Sequence, residues 1–294
     1  MEISPQVAMV GLGLAGKAIA GRLLSHGYAV AGYDIQAVAR SAARDMGVCV
    51  ADECGAPITG CRTIILSLPN SAVVDSVLWG QGGLGSICPK GTTILDTTTA
   101  RPKETVAHHA RLAADGIRFI DVALSGSSRE IAQGGAIALI GDADTNCSYG
   151  EYVQAFTRRQ FFLGRAGLGH QAKLAVNLVL GLNRLALAEG LTFARKTGFD
   201  GELILEILRN SAAYSRTMDT KGDVMLQQDF TPAARLAQHA KDVSLILELA
   251  EEVGARVPAS RLHAALLQEL IDAGWGACDN AAIIKAYETA EGRP

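Results

Sequence analysis

The stretch that decides the fold reads Val7-Ala8-Met9-Val10-Gly11-Leu12-Gly13-Leu14-Ala15-Gly16. Its four apolar residues predict a buried strand, and the G-x-G-x-x-G that follows opens a segment with helical apolar spacing. In such a turn the first glycine permits a tight bend, the second lets a pyrophosphate approach the backbone, and the third allows the helix to pack closely on the strand. The phosphates would lie at the helix N-terminus, where backbone N–H groups point outward. We therefore predict a dinucleotide-binding unit with contacts from Gly11, Leu12, Gly13, Leu14, Ala15 and Gly16.

Strands and helices alternate through the first half of the chain. Short runs rich in Val, Ile and Leu predict strands at 7–10, 29–33, 63–68, 92–96, 118–122 and 136–140. Amphipathic segments between them predict helices at 15–26, 38–46, 72–79 and 102–115. Strands that are apolar on both faces belong in a parallel sheet covered by helices on each side. Residues 1–164 are therefore predicted to form an α/β domain with a Rossmann-type, doubly wound parallel sheet.

The second half of the chain has almost no strand signal. Its Leu- and Ala-rich segments predict helices at about 170–197, 201–211, 213–228, 232–253, 258–273 and 278–289. The first of these is apolar nearly all round, so we expect a long buried helix. Residues 165–294 are thus predicted to form an all-α C-terminal domain that serves substrate binding and oligomerisation.

Composition and charge exclude several classes of protein. The 294 residues are 49% hydrophobic and carry a net charge of −3, with no concentrated Lys/Arg run, so a dedicated nucleic-acid binder is not expected. The six cysteines are scattered without metal-ligand spacing, which predicts reduced thiols and no metal site. The longest apolar run, 174–182, is too short to cross a bilayer, and no basic leader precedes an apolar segment. We expect a cytoplasmic protein without a membrane partner.

Asp34 is the residue that bears on cofactor choice. It ends the second predicted strand, eighteen residues after Gly16. A carboxylate there can accept hydrogen bonds from both hydroxyls of the adenosine ribose, and it repels a 2′-phosphate. Asp34 could instead cap the next helix, and Arg40 and Arg44 on that helix could reach a 2′-phosphate. We expect NAD as the cofactor, with NADP as the alternative.

Two more strand ends belong to the same predicted crevice. Ligands of doubly wound sheets bind at the carboxyl ends of the strands. Leu68-Pro69-Asn70-Ser71 follows the third predicted strand and Asp96-Thr97-Thr98-Thr99 the fourth. Either loop could be no more than a turn and helix cap. As cofactor contacts we predict Leu68, Pro69 and Thr97.

The junction at residues 164–177 holds the candidate reacting groups. A glycine-rich turn leads into a helix on which Lys173 and Asn177 are four residues apart, hence on one face. Burying an amine and an amide without partners is costly, so both should face a polar cavity. A lysine partly desolvated beside a positively charged nicotinamide ring gives up its own proton readily and can then take one from a substrate hydroxyl. An interdomain salt bridge is an equally weighted alternative on spacing alone.

The order of motifs resembles that of a known family. The segment G-x-x-G-x-G-x-x-x-K-x-x-x-N is present at Gly164, Gly167, Gly169, Lys173 and Asn177, and a Lys-Asp pair follows at Lys241-Asp242. In its length, in the order of its motifs and in the change from alternating strands and helices to helices alone, the whole chain resembles the β-hydroxyacid dehydrogenases. This family includes 3-hydroxyisobutyrate dehydrogenase, and its members share a 6-phosphogluconate dehydrogenase-like C-terminal domain. The resemblance implies four roles: catalytic acid/base for Lys173, substrate-orienting amide for Asn177, a cofactor and substrate contact for Lys241, and an aromatic beside the nicotinamide for Phe230.

The family's substrate motif, of the type D-x-P-V-S-G-G, is altered here. The chain reads Asp121-Val122-Ala123-Leu124-Ser125-Gly126-Ser127-Ser128. The resemblance implies that Ser125 and Gly126 hold a substrate carboxylate. Ala123 replaces the family's proline and Ser127 its second glycine. Ser127 could add a hydroxyl contact to the substrate or narrow the pocket, which bears on the substrate and not on the reaction class.

The resemblance implies an NAD(P)-dependent oxidoreductase that interconverts a small β-hydroxy acid and its semialdehyde or keto acid. A reductase of succinic or tartronate semialdehyde is a close alternative, and a non-catalytic dinucleotide-binding sensor is a distant one. An imine reductase is disfavoured because it would be expected to have another residue at the position of Lys173.

His170 is expected to be bonded locally at the helix start, and Arg184 to be a buried ion-pair partner. We expect a homodimer or homotetramer.

Overall fold

The computed structural model of this chain describes residues 5–288. They fall into two compact units that divide between Lys173 and Leu174. The sequence placed the domain boundary nine residues earlier, between 164 and 165, where the glycine-rich turn begins. The structural division falls inside a single long helix that starts at Leu168.

The first unit contains an eight-stranded sheet in the order β3-β2-β1-β4-β5-β6-β7-β8. Its strands are β1 (Val7–Val10), β2 (Val30–Tyr33), β3 (Cys49–Val50), β4 (Thr63–Leu66), β5 (Thr93–Asp96), β6 (Arg118–Ser125), β7 (Ala136–Ile140) and β8 (Thr157–Phe162). From β3 to β6 all neighbours are parallel. The six strands predicted from the sequence are all present, within three residues at each end.

Strand β1 shows why the sheet needs cover on both faces. Val7 and Met9 belong to one buried apolar cluster and Ala8 and Val10 to another, as expected when successive side chains point to opposite faces. Helices α1 (Leu14–Ser25), α7 (Ser128–Ala132) and α8 (Gly150–Phe156) contribute to the first cluster. The second cluster is covered by α3 (Ala56–Thr59), α4 (Ser71–Trp79), α5 (Leu84–Ile87) and α6 (Pro102–Ala114), while α2 (Ala37–Asp45) lies beside β2 and β3.

The sheet departs from the predicted all-parallel arrangement at one place. Strand β7 pairs antiparallel with β6, and β8 then runs parallel to β7. Only residues 126–135 connect β6 to β7, and a parallel return needs a crossover of about a dozen residues or more. The short connection therefore reverses the direction of the chain.

Two strands had no signal in the sequence. Strand β3 is only two residues long. Strand β8 reads TRRQFF and lies at the edge of the sheet, with Arg158 and Arg159 exposed. An edge strand tolerates charged residues, so it lacks the dense apolar run that marks a central strand.

The second unit is helical. It contains most of α9 (Leu168–Lys196), then α10 (Gly201–Arg209), α11 (Arg216–Gln227), α12 (Leu236–Glu252) and α13 (Pro258–Asp272). The predicted helix at 278–289 is a 3₁₀ helix over Asn280–Ala286, preceded by another over Trp275–Ala277; residue 289 lies outside the described residues. One apolar core joins all of these helices, with Leu187, Leu191, Leu205, Met225 and Leu267 among its buried side chains.

Helix α9 is less buried than its composition predicts. Val179 is 57% exposed and Phe193 is 69% exposed, so the expectation of a fully buried helix was wrong. Among the described residues this helix is long and apolar enough to cross a membrane, and 44% of its most apolar window is buried within the chain. Core helices of water-soluble proteins meet the same criterion.

Candidate active site

The three glycines of the first turn have three different surroundings. A side chain on Gly11 would lie 2.2 Å from the Ser67 carbonyl oxygen, and the backbone of Gly11 has a φ of +93°, which favours glycine. A side chain on Gly16 would lie 2.0 Å from the Gly11 carbonyl oxygen, so this glycine allows α1 to pack against the turn. At Gly13 nothing lies within 4 Å of such a side chain. Gly13 is thus the glycine that leaves room for a ligand.

Helix α1 starts at this open position without a side-chain cap. Its N-cap is Gly13, and its first turn carries no acidic residue. The N–H groups of the first turn of a helix have no intrahelical partner, and the helix dipole favours an anion beside them. A pyrophosphate fits this combination of open space and uncapped N–H groups.

Asp34 lies beside the same turn. Its Oδ2 accepts a hydrogen bond from the Leu12 N–H at 2.7 Å, and its Oδ1 accepts one from the Gln36 N–H at 2.8 Å. The N-cap of α2 is Gln36, so Asp34 is not the cap of that helix. The carboxylate is fixed next to the glycine turn, and each oxygen retains a lone pair for a ribose hydroxyl.

The two arginines considered as phosphate ligands differ. Arg40 Nη1 donates to the carbonyl oxygens of Asp34 and Ile35, at 2.8 and 3.1 Å, so its guanidinium is bound to the loop after β2. Arg44 is more than half exposed and lies 3.8 Å from Asp52. Arg40 therefore stabilises the backbone next to Asp34 through these hydrogen bonds, and its guanidinium is not merely solvated.

The loops after β1, β4 and β5 meet at one edge of the sheet. A side chain on Gly11 would contact Leu68 Cδ2 at 3.1 Å. The Leu68 N–H donates to Thr98 Oγ1 at 3.1 Å, and Thr97 Oγ1 donates to the Leu66 carbonyl at 2.7 Å. Leu68 and Thr97 thus lie close together at the carboxyl ends of these strands, and a cofactor contact from Leu68, Pro69 and Thr97 remains a prediction. Asn70, in the same loop, caps α4 through the Val73 N–H.

Ser125, Gly126 and Ser127 follow one another at the end of β6. Ser125 is the last residue of the strand, and Gly126 has a φ of +150°. Ser127 is the N-cap of α7: its Oγ accepts from the Glu130 N–H and donates to Glu130 Oε2, which in turn accepts from the Ser127 N–H at 2.8 Å. Because a hydroxyl has one proton, the Ser127 hydroxyl is engaged in this capping box. The prediction that Ser127 binds the substrate remains untested, and the capping box gives its side chain a structural role.

The turn that leads into α9 is built around Asp121, which the sequence did not single out as a site residue. Asp121 is fully buried on β6, and its carboxylate accepts hydrogen bonds from the N–H groups of Gly167 and His170 at 2.9 and 3.0 Å. A side chain on Gly169 would lie 2.7 Å from Asp121 Oδ2, and one on Gly141 would lie 2.0 Å from Oδ1. The glycine spacing of this segment therefore lets the backbone wrap around a buried carboxylate.

His170 is held by a distant residue, and the expectation of a local bond was wrong. It is fully buried, and its Nδ1 lies 2.7 Å from Thr105 Oγ1 on α6. The Asp96 carboxyl is buried nearby: burial raises the pKa of Asp96, while the charge of His170 and the hydrogen bonds from Thr98 oppose that shift. The first turn of α9 is thereby bonded to α6, close to the buried Asp96 at the end of β5.

Asn177 and the Lys241-Asp242 pair come together within the helical unit. Asn177 is 4% exposed, and its Nδ2 donates to Asp242 Oδ2 at 2.9 Å. Lys241 Nζ lies 2.7 Å from Asp242 Oδ1. The Asp242 carboxylate therefore binds Asn177 through one oxygen and Lys241 through the other. On helix α9, Lys173 precedes Asn177 by about one turn, and it is partly buried.

Phe230 also lies in the helical unit. Its ring packs edge-on against Trp275, with 5.9 Å between ring centroids, and Lys285 Nζ lies 5.9 Å from the ring. Its role beside a nicotinamide remains a prediction.

Comparison with known protein families matches nearly the whole chain. Residues 6–164 match the NAD-binding domain of 6-phosphogluconate dehydrogenase, and residues 167–287 match the NAD-binding domain of NADP-dependent 3-hydroxyisobutyrate dehydrogenase. The chain belongs to the β-hydroxyacid dehydrogenase family. Its members bind NAD(P), and the protein is an NAD(P)-dependent oxidoreductase that acts on a CH–OH group.

Relatives of this β-hydroxyacid dehydrogenase span its full length. It is 28% identical to 2-(hydroxymethyl)glutarate dehydrogenase of Eubacterium barkeri, over 99% of this chain and 98% of the relative. It is also 28% identical to glyoxylate/succinic semialdehyde reductase 1 of Arabidopsis thaliana, over 96% and 98% of the two chains. A solved structure of Mycobacterium tuberculosis 3-hydroxyisobutyrate dehydrogenase with L-serine has the same fold, with a TM-score of 0.86, 22% identity and 98% and 100% coverage.

Proposed function

We propose that this β-hydroxyacid dehydrogenase uses NAD in preference to NADP and interconverts a small β-hydroxy acid and its semialdehyde or keto acid. The observation that carries the cofactor choice is the fixed Asp34 carboxylate, held by the Leu12 and Gln36 N–H groups beside the glycine turn. A carboxylate at this position accepts bonds from ribose hydroxyls and repels a 2′-phosphate.

The proposed roles of the reacting residues follow from their chemistry. The nicotinamide ring accepts or returns a hydride when the cofactor is bound. The Lys173 amine takes the proton of the substrate hydroxyl during oxidation and gives it back during reduction. Asn177, whose amide is oriented by Asp242, orients the substrate, while Ser125 and the Gly126 N–H hold its carboxylate. Helix α1, with its uncapped first turn, binds the pyrophosphate.

Reduction of a small semialdehyde is the second candidate function. Among the relatives are a glyoxylate/succinic semialdehyde reductase and a 2-hydroxy-3-oxopropionate reductase. The same residues serve both directions, because the lysine ammonium donates to the forming alkoxide when the reaction is reversed.

A screen followed at 340 nm tests this proposal. Purified protein is mixed with NAD or NADP and a set of hydroxy acids: 3-hydroxyisobutyrate, 3-hydroxypropionate, 4-hydroxybutyrate, glycerate, threonate and serine. The matching semialdehydes are tested with the reduced cofactors. We expect turnover with at least one pair and a higher kcat/KM with NAD than with NADP. Binding of NADH without turnover of any pair would favour the dinucleotide-binding sensor instead.

Two further proposals concern the assembly and the cellular location of the protein. We propose a homodimer or homotetramer that places the exposed Val179, Leu180 and Phe193 of α9 between subunits. We also propose a cytoplasmic location, without nucleic-acid or membrane partners, from the net charge of −3 and from six cysteines that form no disulfide with one another. Light scattering coupled to gel filtration tests the assembly: an elution mass near 30.8 kDa, that of one chain, would contradict it.

A further inference from the structure

Arg184 is a buried cation that forms no ion pair with any residue between 5 and 288. It lies on α9 two turns beyond Asn177, and its side chain is 3% exposed. Its Nε and Nη1 atoms are buried and make no hydrogen bond. A guanidinium taken out of water without a partner is strongly destabilising. The expectation that Arg184 is a buried ion-pair partner was therefore wrong.

The carboxylate whose charge acts on Arg184, that of Asp279, is already engaged by other donors. Asp279 Oδ1 accepts from Lys221 Nζ at 2.6 Å and from the Ala281 N–H, and its Oδ2 accepts from the N–H groups of Ala233 and Ala234. The charge of Asp279 raises the pKa of Arg184, although the two side chains form no salt bridge. Burial lowers the pKa of Arg184 to about 10, so the guanidinium stays charged at neutral pH.

The charges of this cluster do not balance. Two cations, the buried Arg184 and the partly buried Lys221, interact with one buried carboxylate, Asp279, which leaves one positive charge in excess. Asp242, on α12, is paired with Lys241. One monovalent anion would neutralise the cluster.

One further polar atom without a hydrogen-bond partner lies near Arg184. His263 Nε2 on α13 is buried without a hydrogen bond, and its pKa is lowered by burial and by the charge of Arg184. At Gly181, one turn before Arg184, a side chain would lie 2.9 Å from His263 Cε1, so the glycine gives the imidazole access to this region.

We propose that this cluster is a binding site for one monovalent anion, either a halide or the carboxylate group of a small acid. Arg184 would supply the charge, and His263 Nε2 would donate a hydrogen bond. A neutral water molecule could accept this hydrogen bond, but it could not neutralise the excess positive charge. We therefore infer an anion at this site instead of a water molecule. The site lies within the helical unit and is independent of the proposed oxidoreductase chemistry.

Thermal unfolding in different sodium salts tests the proposal. The protein is heated at pH 7.5 and constant ionic strength in gluconate, which is too large for a buried site, and in chloride, bromide or acetate. At concentrations well above Kd we expect the bound anion to raise Tm by about 2–4 °C over gluconate. A rise with halides alone identifies a halide site, and a rise that includes acetate identifies a carboxylate site. Equal Tm values in all four salts would overturn the proposal.

Variants separate this site from general salt effects. Arg184→Met replaces the guanidinium with an apolar side chain of similar length, so we expect it to unfold in gluconate at the same or a higher temperature and to lose the anion response. Arg261→Met, at an exposed position on α13, is the control and should keep the response. An anion response that survives in Arg184→Met would overturn the proposal.

A crystal soaked in bromide gives an independent answer. The proposal predicts an anomalous peak or, for a carboxylate site, acetate density in the matching soak, within about 3.5 Å of the Arg184 guanidinium. Water-sized density without anomalous signal in bromide, together with no acetate, would overturn it.

Discussion

Asn177 Nδ2 lies 2.9 Å from Asp242 Oδ2 and donates a hydrogen bond to it. Because a carboxylate can only accept, this bond fixes the amide with its nitrogen toward Asp242 and its oxygen pointing the other way. Lys241 binds the second oxygen of the same carboxylate. Asp242 therefore orients both of its polar neighbours within the helical unit.

The first prediction concerns this hydrogen bond. Asn177→Ala leaves the buried Asp242 Oδ2 without its donor, which we expect to lower the free energy of unfolding by about 1–3 kcal/mol. Asn210→Ala is the matched control, because the Asn210 amide donates to the Glu206 carbonyl at an exposed helix end; its loss should stay within about 0.5 kcal/mol. Urea unfolding measures both. Equal losses would contradict a structural link between Asn177 and Asp242.

The second prediction concerns cofactor choice. Asp34→Ser removes the charge beside the ribose, so we expect the ratio of kcat/KM for NAD over NADP to fall at least about tenfold, which corresponds to about 1.4 kcal/mol. Asp52→Ser, at an exposed site whose carboxylate lies 3.8 Å from Arg44, should leave the ratio unchanged. Initial rates with both cofactors give the answer, and an unchanged ratio in Asp34→Ser would remove Asp34 from the account of specificity.

The third prediction separates two neighbouring serines. Ser125→Ala should raise KM for the hydroxy acid at least about tenfold, because it removes a hydrogen bond to a charged group. Ser127→Gly restores the residue that the family has, and an N-cap glycine costs only a few tenths of a kcal/mol. Since the Ser127 hydroxyl is engaged by Glu130, KM should stay within about threefold in that variant. A large rise in KM for Ser127→Gly would make Ser127 a substrate ligand.

The fourth prediction concerns pH. Burial, and then the charge of Arg184, lowers the pKa of His263 from 6.5 to about 4; His239 lies beside it, with 5.2 Å between ring centroids. The unfolded chain binds a proton at this histidine near pH 6.5, and the folded chain does not. The contribution of the neutral His263 to the free energy of unfolding is therefore fully present above pH 6.5 and is lost as the pH falls toward 4. Between pH 7.5 and 5 the loss amounts to about 2 kcal/mol.

Two variants isolate that contribution by urea unfolding at the two pH values. His263→Gln cannot titrate, so its stability should fall less between pH 7.5 and 5 than that of the parent protein. His26→Gln, at an exposed position, should behave like the parent. An undiminished fall in His263→Gln would show that other groups carry the pH dependence.

Most of the sheet could be predicted because its central strands are buried on both faces and therefore show dense apolar runs. Strand β8 could not, since an edge strand tolerates the two arginines at 158 and 159. The glycine turn and Asp34 were predicted from spacing, because a single local motif carries them.

Contacts between distant parts of the sequence were harder to predict. Asp121 binds the turn before α9 across more than 45 residues, and Thr105 reaches His170 across 65. Arg184 lies on an apolar helix, which suggested a buried ion pair, but Asp279, whose charge acts on Arg184, is engaged by Lys221. Periodicity shows which face is buried and not which polar groups meet there.

The role of Lys173 as the proton-transfer group is tested by Lys173→Ala, assayed with the best substrate and cofactor pair. We expect kcat to fall by about 10²–10⁴, the usual contribution of a general acid/base, while Kd for NADH, from quenching of protein fluorescence, is unchanged. Lys196→Ala, at the exposed far end of the same helix, should keep full turnover. If Lys173→Ala kept kcat within a few fold of the parent protein, Lys173 would not be the proton-transfer group.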